Sequence, residues 1–106
     1  MTDTAWKAFE RRIARIFGGQ RRGAYTGNGN QGKTDIVAPG WAIECKLLSR
    51  PGYQDLLNAA CQAEANGDPG DIPVAIVKRK GELDKDSLVV MRLDTFKEFF
   101  INEVQK

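Results

Sequence analysis

The chain has 106 residues, with 16 Lys plus Arg against 14 Asp plus Glu, no His and two Cys. That is enough for one domain and not for two, so residues 1–106 are read as a single unit with one modest core. The absence of His excludes Ser-His-Asp and Cys-His catalysis, HExxH zinc sites and His-activated water, which leaves carboxylates, Lys, Tyr or a carboxylate-bound hard metal to carry any chemistry.

Composition, at 42% hydrophobic and 28% charged, is that of an ordinary globular protein. Cys45 and Cys61 have no CxxC spacing, and residues 1–7 carry Thr2, Asp3 and Thr4 where a secretory leader would be apolar. Both thiols are therefore expected to be reduced, in a cytoplasmic setting. Apolar runs such as 88–91 are too short to cross a bilayer, so no membrane partner is expected. The net charge of +2 conceals an asymmetry: residues 1–34 carry seven cations against two carboxylates, and the remainder is acidic. A basic first third is the footprint of polyanion docking, although a solvated helix face would look the same.

In chain order, Trp6, Phe9, Ile13, Ile16 and Phe17 form an apolar stripe at helical spacing and predict a helix over residues 3–17, capped by Thr2, Asp3 or Thr4 and stopped by Gly18-Gly19. Arg11, Arg12 and Arg15 point away from that stripe. Glu10 lies on its edge, where a carboxylate needs a partner or a cation. Residues 18–34 contain six Gly with Arg21, Arg22 and Lys33 among them, a loop suited to phosphate approach with one short strand near residues 21–25. Residues 34–38 and 41–48 read as the two strands of a hairpin turning at Pro39-Gly40.

Residues 53–66 predict a second helix with Tyr53, Leu56, Leu57, Ala60 and Cys61 on its inner face and Asn66-Gly67 as its stop. Residues 72–78 and 87–93 are apolar strand segments. Thr95 and Glu98 form a candidate capping box for a final helix whose Phe96, Phe99, Phe100 and Val104 are expected to pack on the core, a subunit interface being the alternative. The order αβββαββα predicts an α/β domain with a central mixed sheet flanked by helices.

The informative stretch is Asp35-x8-Glu44-x-Lys46. Residues two apart in a strand share a face, so Glu44 and Lys46 project together. An even turn centred on Pro39-Gly40 pairs positions whose numbers sum to 79, which sets Asp35 opposite Glu44 with β-carbons about 5 Å apart. Facing carboxylates require a cation, for which Lys46 and a divalent metal are the candidates. Pro does not suit the first central position of primed hairpin turns, and an odd, longer loop would shift this register. The plainer alternative is a Glu44–Lys46 ion pair on an exposed strand.

At these residues the chain resembles the PD-(D/E)XK nuclease superfamily: an acid on one strand of a hairpin (Asp35), acid-x-Lys on the next (Glu44, Lys46), a preceding helix bearing a Glu (Glu10) and a following helix packed on the sheet. The likeness spans about residues 8–80, with Thr34 replacing the Pro that often precedes the first acid. Within the superfamily it is most similar to archaeal-type Holliday junction resolvases, including those of phages, on Glu10-Arg11, Arg21 or Arg22, Thr26-Gly27, residues 35–38 and residues 43–46. The resemblance implies a restriction-endonuclease-like fold and a homodimer nicking opposed strands of a four-way DNA junction. It implies Mg²⁺ or Mn²⁺ held by Asp35, Glu44 and the Cys45 main-chain carbonyl, with Glu10 contributing to a second metal or its water. Lys46 would orient the attacking water or stabilise the transition state. Arg11, Arg12, Arg21, Arg22 and Lys33 become candidate phosphate contacts, and Gln62 either reaches the water or the DNA backbone or is a solvated helix residue.

Other readings stay open: a related nuclease for linear, nicked or flap DNA, or a non-catalytic DNA-binding module. Residues 27–34 also satisfy GxxxxGK(S/T), but the phosphate-binding P-loop needs an apolar strand before it and a helix after it, and here polar residues precede and a strand follows. No small-molecule substrate is therefore expected.

Overall fold

The computed structural model describes residues 4–22 and 34–101. Helix α1 (Ala5–Ile16) begins at Thr4, whose side chain accepts the Lys7 N–H, and leads into the short strand β1 (Gln20–Arg21). Strands β2 (Ile36–Ala38) and β3 (Trp41–Leu48) form the hairpin, and helix α2 (Tyr53–Asn66) crosses to β4 (Ile72–Arg79). A 3₁₀ turn at Asp84–Asp86, strand β5 (Leu88–Val90) and helix α3 (Leu93–Phe96), continued as a π-helix over Lys97–Ile101, complete the described chain. The sheet runs β1-β2-β3-β4-β5, with β3 and β4 parallel and the other pairs antiparallel. This is the mixed, helix-flanked α/β sheet that the element order predicts.

The hairpin register is the one that facing carboxylates need: Ile36 pairs with Ile43 and Ala38 with Trp41, leaving Pro39-Gly40 as a two-residue loop. Gly40 sits at φ 82°, the left-handed value a type II turn requires at its third residue, which is how Pro is accommodated at the second. Alternation along β3 then separates two layers. Ile43 and Cys45 join Phe9, Ile13 and Ala14 of α1, with Ile36, Val74 and Ile76, in one core. On the other face α2 packs through Ala59 against Ala75 and Val77, flanked by Leu48, Leu56 and Val90. Phe9 is 1% exposed, and its truncation to Ala would cost about 3–5 kcal/mol.

Several local expectations are corrected. The buried stripe of α1 runs through Phe9, Glu10, Ile13 and Ala14. That turns Ile16 about 90° from its centre, and Ile16 is exposed, while Trp6 covers Arg21 instead of the core. On α2 the small residues Ala59, Ala60 and Ala63 face inward because they let the helix approach the sheet closely. Leu56 and Leu57 are only half-buried, and Tyr53 and Cys61 are exposed. Strand β5 is shorter than residues 87–93. Helix α3 starts at Leu93, so Thr95 does not cap it; Thr95 is buried and donates its hydroxyl to Glu64 at 2.6 Å. Phe96 and Phe100 stack on each other at 5.1 Å on the surface rather than in the core, and Phe99 is half-buried.

Candidate active site

The site forms where the hairpin strands part. Beyond Ile36 the chain leaves the ladder but stays attached to β3: the Asp35 N–H donates to the Ile43 carbonyl at 3.1 Å, and the Cys45 N–H donates to Asp35 Oδ2 at 2.9 Å. Arg22 straps the same segment from the other side, its N–H donating to the Asp35 carbonyl at 2.8 Å and its Nε to the Thr34 carbonyl at 2.7 Å. Asp35 is thereby held level with the sheet. Because the N–H and C=O of one strand residue point to the same edge, the Cys45 carbonyl is directed to the side on which Asp35 lies.

Glu44 projects to the α2 face, is 1% exposed, and stands within hydrogen-bonding reach of the Asp35 carboxyl. Burial, reinforced by the Asp35 charge, pushes its carboxyl up to about 7 from 4.5. Two groups oppose that shift. Asn66, in the last turn of α2, donates Nδ2 to Glu44 Oε2 at 3.3 Å, and the Lys46 charge lies near enough to favour the ionised form. Asn66 is kept there by Gly67, where a β-carbon would meet the Ala42 β-carbon at 2.5 Å, so only glycine lets the end of α2 lie against β3.

Glu10 reaches the same region from the α1 side. Arg21 Nε donates to Glu10 Oε1 at 2.7 Å, with the two side chains 13% and 7% exposed. Burial and then the Asp35 charge raise the Glu10 carboxyl above its ordinary value, against Arg21 and Arg11. The Cys45 thiol, on that face, is raised by burial and then by Asp35, Glu10 and Glu44, which makes it an inert structural group. One field from three carboxylates thus converges on a short segment of β3.

Asp35, Glu44 and Lys46 come together as the spacing predicts. Among the described residues no three His, Cys, Asp or Glu side chains gather at metal-binding spacing, and Glu10, the third carboxylate of the implied set, is engaged by Arg21. Of the candidate phosphate contacts, Arg12 pairs with Asp84 at 2.5 Å, Arg21 with Glu10, and Arg22 straps residues 34–35; Arg11 is exposed. Lys33 lies outside the described residues. Gln62 is on the exposed side of α2, and the α2 residue that reaches the carboxylates is Asn66. Its signal was available: it stands one residue before a glycine that ends the helix over the sheet. Within the P-loop-like stretch, Thr34 is followed by β2 rather than by a helix.

The class defined by these features is a small mixed α/β domain with a buried glutamate, a half-buried aspartate and a lysine at the mouth of a β-hairpin. No protein-family model, no curated protein and no solved structure matches the chain.

The donor chemistry fits a hard divalent cation. The pair offers only oxygen ligands, and Glu44, whose carboxyl is pushed up by burial and the Asp35 charge, is the member that a cation would favour in its ionised form. Zinc and soft metals are disfavoured because the one nearby sulfur is packed into the α1 core.

Proposed function

We propose that the protein is a metal-dependent DNA endonuclease of the PD-(D/E)XK kind, selective for branched DNA and most like a Holliday junction resolvase. One observation carries this reading: Glu44, 1% exposed, meets the half-buried Asp35 across a hairpin, with Lys46 on the Glu44 face. Neutral surface chemistry does not bury a glutamate against a second acid, since that acid cannot compensate its desolvation.

Asp35, Glu44 and the Cys45 carbonyl would hold Mg²⁺ or Mn²⁺. A bound cation of this type supplies Lewis acidity, lowering the pKa of water and offsetting charge on phosphorus. The chain's own groups do the rest. Asn66 fixes the rotamer of Glu44, and the Cys45 N–H fixes that of Asp35. Lys46, sharing the Glu44 side of β3, holds a positive charge where a phosphate oxygen or attacking water would stand. Paired nicking of a junction requires two such sites, so the reading includes a homodimer, and its free thiols suit a reducing intracellular setting.

The test is cleavage of end-labelled four-way junction, flap and linear duplex DNA in Mg²⁺ or EDTA, with Glu44→Ala and Lys46→Ala alongside. Symmetric nicks confined to the junction, and lost in EDTA and in both variants, support the resolvase. Cutting of flap or linear DNA keeps the nuclease and removes the resolvase. Tight binding without metal-dependent cutting replaces both with a DNA-binding module.

A further inference from the structure

The two edges of the sheet are finished differently. β1 is two polar residues, Gln20-Arg21, with Arg21 covered by Trp6. β5 is the last strand on the other side, with β4 as its single strand neighbour among the described residues and a register that runs without a bulge. Every second backbone N–H and C=O of such a strand points outward, and natural edges are normally blunted by Pro, by charge or by a bulge. From Ser87 to Met91 there is neither Pro nor charge. Val89 is 70% exposed and Leu88 55%, and Tyr53 and Leu93 stand open beside them at the mouth of an apolar groove of about 410 Å³ between α2 and residues 90–94. A bare apolar edge is a template for one more strand.

The sequence of this edge fits its own copy. Two antiparallel strands related by a two-fold axis normal to the sheet keep each side chain on its own face, so facing positions must sum to an even number. A sum of 178 centres the pairing on Val89: Leu88 faces Val90, Val89 faces itself, and Asp86 faces Arg92 at both ends. Asp86 is exposed, and Arg92, although forked onto Glu64, keeps 40% of its side chain in water. Moving the centre to Leu88 sets Asp86 against Val90, and moving it to Val90 sets Leu88 against Arg92 and Asp86 against Asp94. Of the three, the central register alone matches apolar with apolar and acid with base. It also places Leu88 of the second copy beside Val90, on the α2 face where the groove opens.

We infer that β5 pairs with β5 of a second copy, giving a two-fold dimer in which the two five-stranded sheets run on as one. With β1 short and polar, each copy has one open edge, and the assembly closes at two. The two-fold axis leaves both α2 faces, and therefore both Glu44 side chains, on the same side of the joined sheet. Five strand spacings, about 24 Å, separate β3 from its copy. Both acid sites would then face one DNA surface. That consequence rests on the nuclease reading, whereas the interface itself does not.

Sedimentation equilibrium of the full chain in EDTA and reductant should give twice the chain mass at about 50 μM protein. Val89→Lys sets two ammonium groups face to face at an exposed position, and should give the monomer mass with an unchanged circular dichroism spectrum. Asp86→Lys turns an attraction into a repulsion at both ends and should weaken association about tenfold, an effect that about 1 M salt removes. The register is read by cysteine pairing in a Cys61→Ser background, which removes the exposed native thiol. On copper–phenanthroline oxidation Val89→Cys should give a disulfide-linked dimer, because facing α-carbons stand about 4.5–5.5 Å apart. Leu88→Cys and Val90→Cys should not, each lying about 7–8 Å diagonally from its own copy. A monomer at every concentration, a dimer that survives Val89→Lys, crosslinking at 88 or 90 instead of 89, or assembly beyond two copies would overturn the interface. Junction cleavage by a chain that stays monomeric keeps the nuclease and removes the interface. A dimer crosslinked through position 89 whose wild-type chain cuts no DNA keeps the interface and removes the nuclease.

Discussion

Two carboxylates of this molecule, Asp84 and Glu44, are treated in opposite ways. Asp84, in the 3₁₀ turn, accepts from Arg12 Nε at 2.5 Å and from Lys78 Nζ at 2.8 Å. The Arg12 guanidinium, with Lys78 behind it, holds the carboxyl down at about 2. Glu44 is more deeply buried and has as its nearest ionisable neighbour another acid, and it is pushed up to about 7. The fold is able to bring cations to a carboxylate where it joins α1, β4 and the 3₁₀ turn. At the hairpin mouth it brings a carboxylate, an amide and a lysine. A position that costs stability without a ligand is the mark of a site organised for one.

The largest effect should come from Glu44→Gln. The amide keeps the shape and donates to Asp35 but cannot ionise, so metal-dependent cutting should fall by about a hundredfold or more, while the metal-free protein at pH 8 should melt at a higher temperature than wild type. Thermal melts in EDTA and in Mg²⁺ check this. Millimolar Mg²⁺ should raise the wild-type melting temperature and leave that of Glu44→Gln unmoved. A variant that melts lower than wild type in EDTA would show that ionised Glu44 is a stabilising group, like Asp84, and the comparison would collapse.

Next in size is the dependence of stability on pH. Glu44 binds its proton more tightly folded than unfolded, so its contribution is complete below about 4.5 and is lost as pH rises through about 7, a change on the order of 3 kcal/mol. Asp84 has the opposite sign: its contribution is present above its ordinary value of 3.8 and is lost as pH falls toward about 2. Urea unfolding in EDTA should therefore show stability declining from pH 4.5 to 7, a decline that Mg²⁺ flattens and Glu44→Gln reduces to the part left by Glu10, whose carboxyl is also raised. A separate decline on the acid side should survive Glu44→Gln and shrink in Asp84→Asn to the part left by Glu64, which its Arg92 hydrogen bond also holds below its ordinary value.

Much of the site was legible because it is built from local rules. Strand alternation put Lys46 with Glu44, and one turn centred on Pro39-Gly40 put Asp35 opposite, a register the structure retains. The bounds of α2 were equally readable from the apolar spacing and Asn66-Gly67. What could not be read was decided by packing between distant segments. The partner of Arg12 lies 72 residues away, and nothing near Arg12 distinguishes an ion-paired arginine from a phosphate contact. Arg21 looked like a DNA ligand because its charge was visible and the burial of Glu10 against it was not. The inner face of α2 differs for a related reason: Ala60 lies on it as the spacing predicts, but where hydrophobicity favours Tyr53 and Leu57, close approach to the sheet favours Ala59 and Ala63.

Smaller effects test how the Asp84 cluster is put together. Asp84→Ala leaves Lys78, 12% exposed and 5.4 Å from the Phe9 ring, as a nearly buried cation without its carboxylate, and should cost about 1–3 kcal/mol in urea unfolding. Arg12→Ala should cost less. Arg12 makes the shorter contact and the larger contribution to holding the Asp84 carboxyl down, but its side chain is 44% exposed, so water and salt screen the pair and its ordering entropy offsets part of the gain. A loss of at most about 1 kcal/mol, vanishing in about 1 M salt, is expected. An Arg12→Ala loss equal to that of Asp84→Ala would mean that the exposed fork, and not the buried lysine, secures the 3₁₀ turn to α1. In that case the contrast with Glu44 would rest on hydrogen-bond geometry rather than on burial.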